Sequence, residues 1–339
     1  MSTDKVGRFR GVPLSILDLA PLTEGSTASE TFKNSTDLAQ HAENWGYHRY
    51  WLAEHHNMPG IASSATSVVI GHIAGATKKI RVGAGGIMLP NHAALVIAEQ
   101  FGTLEAMYPG RIDLGLGRAP GTDSPASHAL RRTLNMGPDD FPLQVEELED
   151  YFAGNSRVRA IPGEGSDIPL WFLGSSGFSA KLAALKGRPF AFASHFSPRY
   201  TIPALNVYRD NFKPSEKMDK PHALVCLNVI AADTDEEAQF ISTSLKLQFW
   251  GLRRGKPSQL KPPISQEELE NLWSPYERQV VEASVDPFST IIGSPETVKR
   301  ELKRFLDETH ADELMINSVI YDHKARLRSY EIVQELMDK

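Results

Sequence analysis

One unit recurs eight times along the 339 residues: a short apolar run of strand-like composition, a turn, then a segment with apolar residues at helical spacing. The runs cover 12–19, 49–55, 80–88, 111–117, 169–173, 189–194, 222–232 and 313–320. Alternating strands and helices build a parallel sheet, and eight such units predict a closed (β/α)8 TIM barrel. A doubly wound open sheet is the competing architecture, but it usually needs fewer strands and carries a single Gly-rich first turn. Length alone would allow two domains, yet barrels of this size fold as one, so residues 1–339 are expected to form a single barrel domain. Two segments break the rhythm. Residues 124–140 make an excursion after strand 4. Residues 251–293, with prolines at 257, 262, 263, 275 and 287, suggest a long lid-like insertion after strand 7.

The helical segments carry recognisable start and stop signals. A helix over 28–45 presents Phe32, Ser35, Ala39 and Ala42 on one face, and Gly46 is a natural stop. Ile97, Phe101, Leu104 and Tyr108 recur at helical steps before Pro109-Gly110. Ser294-Pro295-Glu296 restarts a helix with an N-cap serine, proline at the first helical position and an early acid.

Composition excludes several classes. A net charge of −6 and the absence of any lysine/arginine block argue against nucleic acid as a partner. The single cysteine, Cys226, lies in an apolar run and is expected to be buried and inert, with no disulfide possible within the chain. No run approaches the roughly 18 apolar residues of a membrane span, and the N-terminus has no apolar leader segment. A cytoplasmic protein with no membrane partner is expected.

A barrel places its chemistry at the C-terminal ends of its strands. Here those ends carry Asp18, Glu54-His55-His56, Gly85-Gly86, Arg118, Gly174-Ser175-Ser176, His195-Phe196 and Asn228. Polar residues and glycines therefore collect at one rim. Gly174-Ser175-Ser176-Gly177 before a helix suits an anion, because free N–H groups and hydroxyls converge there. An ordinary N-cap turn is the plainer account, and Arg118 on the same rim favours the anion.

His55 and His56 both suit a general acid/base near neutral pH; a structural histidine satisfied by Glu54 is the bland alternative. A metal pair with His56 is set aside, since adjacent strand residues point to opposite faces and no further ligand-like spacing is present. His195 and His128 stand open between site and surface, and Asn57 could simply cap the next turn. Neither a Gly-x-Ser-x-Gly elbow nor a Walker lysine occurs, which weighs against hydrolase and nucleotide-triphosphatase chemistry.

Taken together, the blocks Trp51-Leu52-Ala53-Glu54-His55-His56, Arg81 through Pro90 and Gly110 through Arg118 resemble the bacterial-luciferase-like family of flavin-dependent monooxygenases. Leu173-Gly174-Ser175-Ser176 and Ala311-Asp312-Glu313-Leu314 fit in the same order. The resemblance implies a homodimer of barrels that takes reduced FMN from a separate flavin reductase. It implies O2 activation as a flavin C4a-hydroperoxide and oxygenation of a small organic substrate. By position, His55 matches the catalytic histidine, with Glu54 and His56 as orienting neighbours. Gly85-Gly86 matches a non-proline cis peptide under the flavin ring. Arg118 matches a flavin-contacting arginine, and Gly174, Ser175 and Ser176 the phosphate turn. His128 departs from the pattern, standing where the light-emitting luciferase subunit has a phosphate-contacting arginine; Arg131 or Arg132 could take its place.

The chain lacks a strand–GxGxxG–helix fingerprint for a nicotinamide, which accords with a partner reductase. Two alternatives remain open. A deazaflavin (F420)-dependent dehydrogenase would need more basic residues near strands 5 and 6, where only Arg199 and Lys181 are available. A non-catalytic flavin-binding or storage protein would share most of these features.

Overall fold

The structure, a computed structural model, describes residues 6–118, 124–130 and 138–338. Eight parallel strands form a ring: β1 (Val12–Asp18), β2 (Arg49–Leu52), β3 (Arg81–Met88), β4 (Ile112–Gly117), β5 (Leu170–Gly174), β6 (Phe190–Ala193), β7 (Ala223–Ala231) and β8 (Glu313–Asn317). Each pairs with the next, and β8 closes on β1 through the register Ile316↔Ile16. The expected (β/α)8 TIM barrel is what the chain forms.

Around the ring run α1 (Ala28–Trp45), α2 (Thr66–Ala76), α3 (Ala94–Met107), α4 (Ser124–Leu130), α5 (Phe141–Ala153), α6 (Gly177–Leu185), α7 (Thr201–Asp210), α8 (Asp235–Arg253), α9 (Gln266–Leu272), α10 (Pro275–Ser284), α11 (Pro295–Thr309) and α12 (His323–Glu335). The two-residue strand Arg8–Phe9 pairs antiparallel with β1. The short strand Thr290–Gly293 pairs with the C-terminal part of β7, starting at Asn228↔Thr290.

Several ends differ from expectation. Strand 2 stops at Leu52, not at residue 55, because the His55 N–H leaves the ladder and bonds the Ser63 carbonyl at 3.1 Å. Strand 8 stops at Asn317, not at 320, because the Ser318 N–H turns to the Tyr330 hydroxyl at 3.0 Å. A single 3-10 turn, Pro198–Tyr200, precedes α7. Between 251 and 293 the chain is more regular than its prolines suggested. Ser265 with Glu268 and Ser274 with Glu277 form capping boxes that start α9 and α10.

The main core lies between strands and helices and includes Leu14, Val82, Phe101, Phe172 and Phe305. A second cluster fills the barrel itself: Leu17, Trp51, Trp171, Leu224, Cys226 and Met315. Cys226 is buried as expected, and burial pushes its thiol pKa up. Trp51 and Trp171 meet edge to face at 5.2 Å.

Below them, at the strand beginnings, buried ions plug the barrel. Arg49 bridges Asp113 at 2.8 Å and Glu313 at 3.0 Å, and Arg81 pairs with Asp113 at 2.6 Å. The inside of the barrel is therefore filled by side chains and its lower end is closed by paired charge, so the barrel interior opens to a ligand only at the C-terminal rim. No helix of the described residues is long and apolar enough to cross a membrane.

Candidate active site

At the end of β2 the chain carries a carboxylate and two imidazoles that go different ways. Glu54 is buried, and its carboxylate accepts from His56 Nε2 at 2.8 Å, His92 Nε2 at 2.9 Å, the Met88 N–H at 3.0 Å and Asn91 Nδ2 at 3.3 Å. Burial alone would raise its pKa, but the hydrogen bonds from His56 and His92 prevail and hold it at about 2. The histidine that Glu54 satisfies is thus His56, and His55 is left for other work. His92 and Asn91 are members of this cluster that sequence spacing did not show, because they arrive from the turn after β3. Glu54, His56 and His92 offer ligand atoms within 4.8 Å of one another. Sequence spacing did not show this grouping; here both rings donate to the carboxylate.

His55 lines a small cavity at the rim, and its Nδ1 is buried without a hydrogen-bond partner among the described residues. Burial lowers its pKa to about 4, with Glu54 opposing the shift and His56 adding to it. His195, at the end of β6, lines the same cavity, and its Nδ1 is likewise buried and unpaired. Its pKa is also lowered to about 4, first by burial and in part by His55; the Cys226 carbonyl opposes the shift. His195, open between site and surface on sequence, belongs to the site. His128, on α4, is exposed. Arg131 and Arg132 lie outside the described residues.

The floor of this cavity is set by an amide pair. Asn228 donates to Thr290 Oγ1 at 3.2 Å and to the His195 carbonyl at 3.3 Å, and it accepts from Asn317 Nδ2 at 2.9 Å. Leu245, Phe249 and Leu252 of α8 form its apolar roof. Asp18 has a structural role instead: Arg326 from α12 pairs with it at 2.6 Å, and the Ala20 N–H caps it at 2.7 Å.

The neighbouring arc of the rim carries the remaining predicted residues. The peptide bond between Gly85 and Gly86 is cis. The β3–β4 register shifts between Ala84 and Ile87, and the glycines let the strands close up: a Cβ on Gly86 would lie 2.7 Å from the Gly115 carbonyl oxygen.

After β5, Ser176 is the N-cap of α6 in extended conformation, yet its hydroxyl makes no capping bond. The first-turn N–H groups of α6 and the two hydroxyls are thereby available to an anion, at the positive end of the helix. Arg118 stacks on the Phe178 ring of α6 at 4.2 Å, and among the described residues no carboxylate pairs with it. Gly85, Gly86, Arg118, Gly174, Ser175 and Ser176 thus occupy the ends of three adjacent strands.

A larger cavity, about 570 Å3, sits elsewhere, against the beginnings of β5 and β6. Its cations are spent on acids: Arg188 on Glu149 at 2.8 Å and Lys217 on Asp167 at 2.7 Å. It lies at the opposite end of the barrel from the two imidazoles, so the smaller cavity is the chemical one.

A parallel barrel with acid/base rings and an anion turn at its C-terminal rim is an enzyme scaffold. Residues 12–313 match the family described as luciferase-like monooxygenase, and the chain belongs to that family. It is 52% identical to a luciferase-like monooxygenase of Escherichia coli K12, over 99% of both chains. It is 33% identical to the N-acetyl-S-alkylcysteine monooxygenase of Bacillus subtilis 168, over 96% of this chain and 98% of that one. Among solved structures, apo-MsnO8 superposes with a TM-score of 0.86 at 34% identity, covering 96% of this chain and 98% of that one. The fold alone recurs at 17% identity in the oxygenating constituent of the 3,6-diketocamphane monooxygenase of Pseudomonas putida, in complex with FMN (TM-score 0.70, covering 96% of this chain and 97% of that one). It recurs at 16% identity in an F420-dependent secondary alcohol dehydrogenase (TM-score 0.68, 96% and 99%).

Proposed function

We propose that this chain is an FMN-dependent monooxygenase that oxygenates a small organic substrate. The observation that carries the proposal is the arc formed by Gly85-Gly86, Arg118 and the uncapped N-terminus of α6, set beside the unpaired His55. An N-cap serine that caps nothing, next to a guanidinium with no carboxylate partner among the described residues, fits one phosphate group of a mononucleotide. When bound, reduced FMN would supply the two electrons that reduce O2, with one oxygen atom passing to the substrate and the other leaving as water.

The chain's own residues have distinct tasks. Ser175, Ser176 and the first N–H groups of α6 hold the phosphate, and Arg118 neutralises it. Gly85 and Gly86 present backbone rather than side chains to the flavin ring. His55, uncharged at neutral pH, takes up and returns a proton at a ring nitrogen while Glu54 keeps the adjoining backbone fixed. The proposal includes a separate flavin reductase as the source of reduced FMN, a homodimeric assembly and a cytoplasmic setting.

An F420 enzyme of this fold would hold a longer anionic tail, and the cations nearest in sequence, Lys181 and Arg199, are both exposed. Titration of the purified protein with FMN and F420, followed by cofactor fluorescence, separates the two. FMN is expected to bind the more tightly, and Arg118→Ala to weaken it by about tenfold; tight F420 binding with none of FMN would overturn the proposal. His55→Ala separates an enzyme from a storage protein. FMN affinity is expected to persist while oxygenation falls by about 10²–10⁴-fold.

A further inference from the structure

The rim of the barrel divides into two arcs. The ends of β3, β4 and β5 carry the anion turn, Arg118 and the Gly-Gly peptide. The ends of β6, β7, β8, β1 and β2 carry the small cavity. His195 and His55 stand at the two seams, one after β6 and the other after β2.

We propose that His195 is a second substrate-binding residue, and that the pocket it shares with His55 takes a small uncharged molecule, apolar except for one hydrogen-bonding group. This deepens the FMN-monooxygenase proposal and rests on it.

Three observations support it. Both rings line the cavity, and each has a buried Nδ1 with no partner among the described residues. Buried polar atoms are normally paired, and unpaired ones in a cavity mark where a ligand's polar group belongs. Of the other polar side chains, Asn228 and Asn317 bond each other, Thr290 and the His195 carbonyl, and Ser258 donates to the Gln259 carbonyl at 3.1 Å; Gln248 of α8, neutral like the two imidazoles, also lines the cavity.

No charged side chain lines the cavity among the described residues. Arg326 borders the adjoining cleft and is paired with Asp18 at 2.6 Å. A carboxylate or ammonium group would enter without a counter-ion and lose its hydration. A neutral ligand meets two imidazoles that can each donate or accept, under the apolar roof from α8.

Hexanamide and hexanoate test this directly, because they match in size and shape and differ in charge. Their binding at neutral pH, to protein with and without FMN, is followed by the ring-nitrogen NMR signals of His55 and His195. Hexanamide is expected to shift both signals and to bind at least about tenfold more tightly than hexanoate. His195→Leu is expected to weaken hexanamide by about tenfold while FMN affinity stays unchanged, and His195→Gln, which keeps an N–H and an acceptor, to restore part of the loss.

Equal or tighter binding of hexanoate, no binding of hexanamide, or hexanamide binding that ignores the His195 substitutions would each overturn the proposal. If FMN does not bind but hexanamide still reports on both rings, the cofactor proposal fails and the pocket assignment stands.

Discussion

Glu54 shows how one buried carboxylate can organise a site without entering its chemistry. Its four donors come from three places: His56 two residues on, Met88 at the end of β3, and Asn91 and His92 in the following turn. It therefore ties the backbone that follows the Gly85-Gly86 peptide to the backbone that carries His55. Glu54→Gln keeps the shape but removes the charge and replaces one acceptor oxygen with a donor, so at least one of the four donors loses its acceptor. The expected cost is about 1–3 kcal/mol in urea unfolding, with FMN affinity and turnover both reduced because two site segments shift together. Unchanged stability and activity would show that the hub is dispensable. The residues of this hub were unequally legible in the sequence. Glu54, His55 and His56 are contiguous at a strand end, so alternation along a strand already separated them. His92 sits after a 3-10 turn, where no period predicts side-chain direction, and only the fold brings it to Glu54.

Elements are held to their positions by close approaches that sequence reveals only as glycine. Strand β3 carries Gly83, Gly85 and Gly86, and strand β4 faces it with Gly115 and Gly117. A Cβ on Gly115 would lie 2.2 Å from the Ala84 carbonyl oxygen, so no side-chain adjustment relieves the clash. Gly115→Ala is expected to push β3 and β4 apart. The cost is about 1–3 kcal/mol of stability, and FMN affinity should also weaken because the Gly85-Gly86 shelf moves. A thermal melt with FMN titration checks both, and a variant as stable as the parent would show that the strands can separate freely. The three β3 glycines are plain in the sequence, but the neighbour that each approaches is not. The capping boxes of α9 and α10 were equally present as Ser-x-x-Glu, but proline density masked them. Turn chemistry is local and readable, whereas the partner across a gap is set by topology.

Across the whole molecule, charge is sorted by height in the barrel. Strand alternation and the eightfold unit made the barrel legible, because each strand must bury both faces between helices and interior. The ionic plug at the strand beginnings was not legible, since Arg49, Arg81, Asp113 and Glu313 converge only when the ring closes.

This sorting predicts an acid response in two stages. His55 and His195, held at about 4 against an ordinary value of 6.5, stay uncharged in the fold. His48 and His323 are lowered in the same direction, first by burial. As pH falls below 6.5, the unfolded chain gains protons on these rings and the folded chain does not, so stability declines until the folded pKa values are reached. For His55 and His195 the slope is about 1.4 kcal/mol per pH unit each. Glu54 and Glu313, held at about 2 against 4.5, contribute stability that is lost only in the lower window, from 4.5 down through 2. Urea unfolding midpoints measured at intervals between neutral pH and the upper edge of that lower window isolate the histidine stage. His195→Gln is expected to remove about 1.4 kcal/mol per pH unit from the slope there, leaving the part due to the other three rings. A slope identical in the variant and the parent would mean that the His195 ring titrates normally in the folded chain. It would then be exposed to water and not enclosed in the pocket.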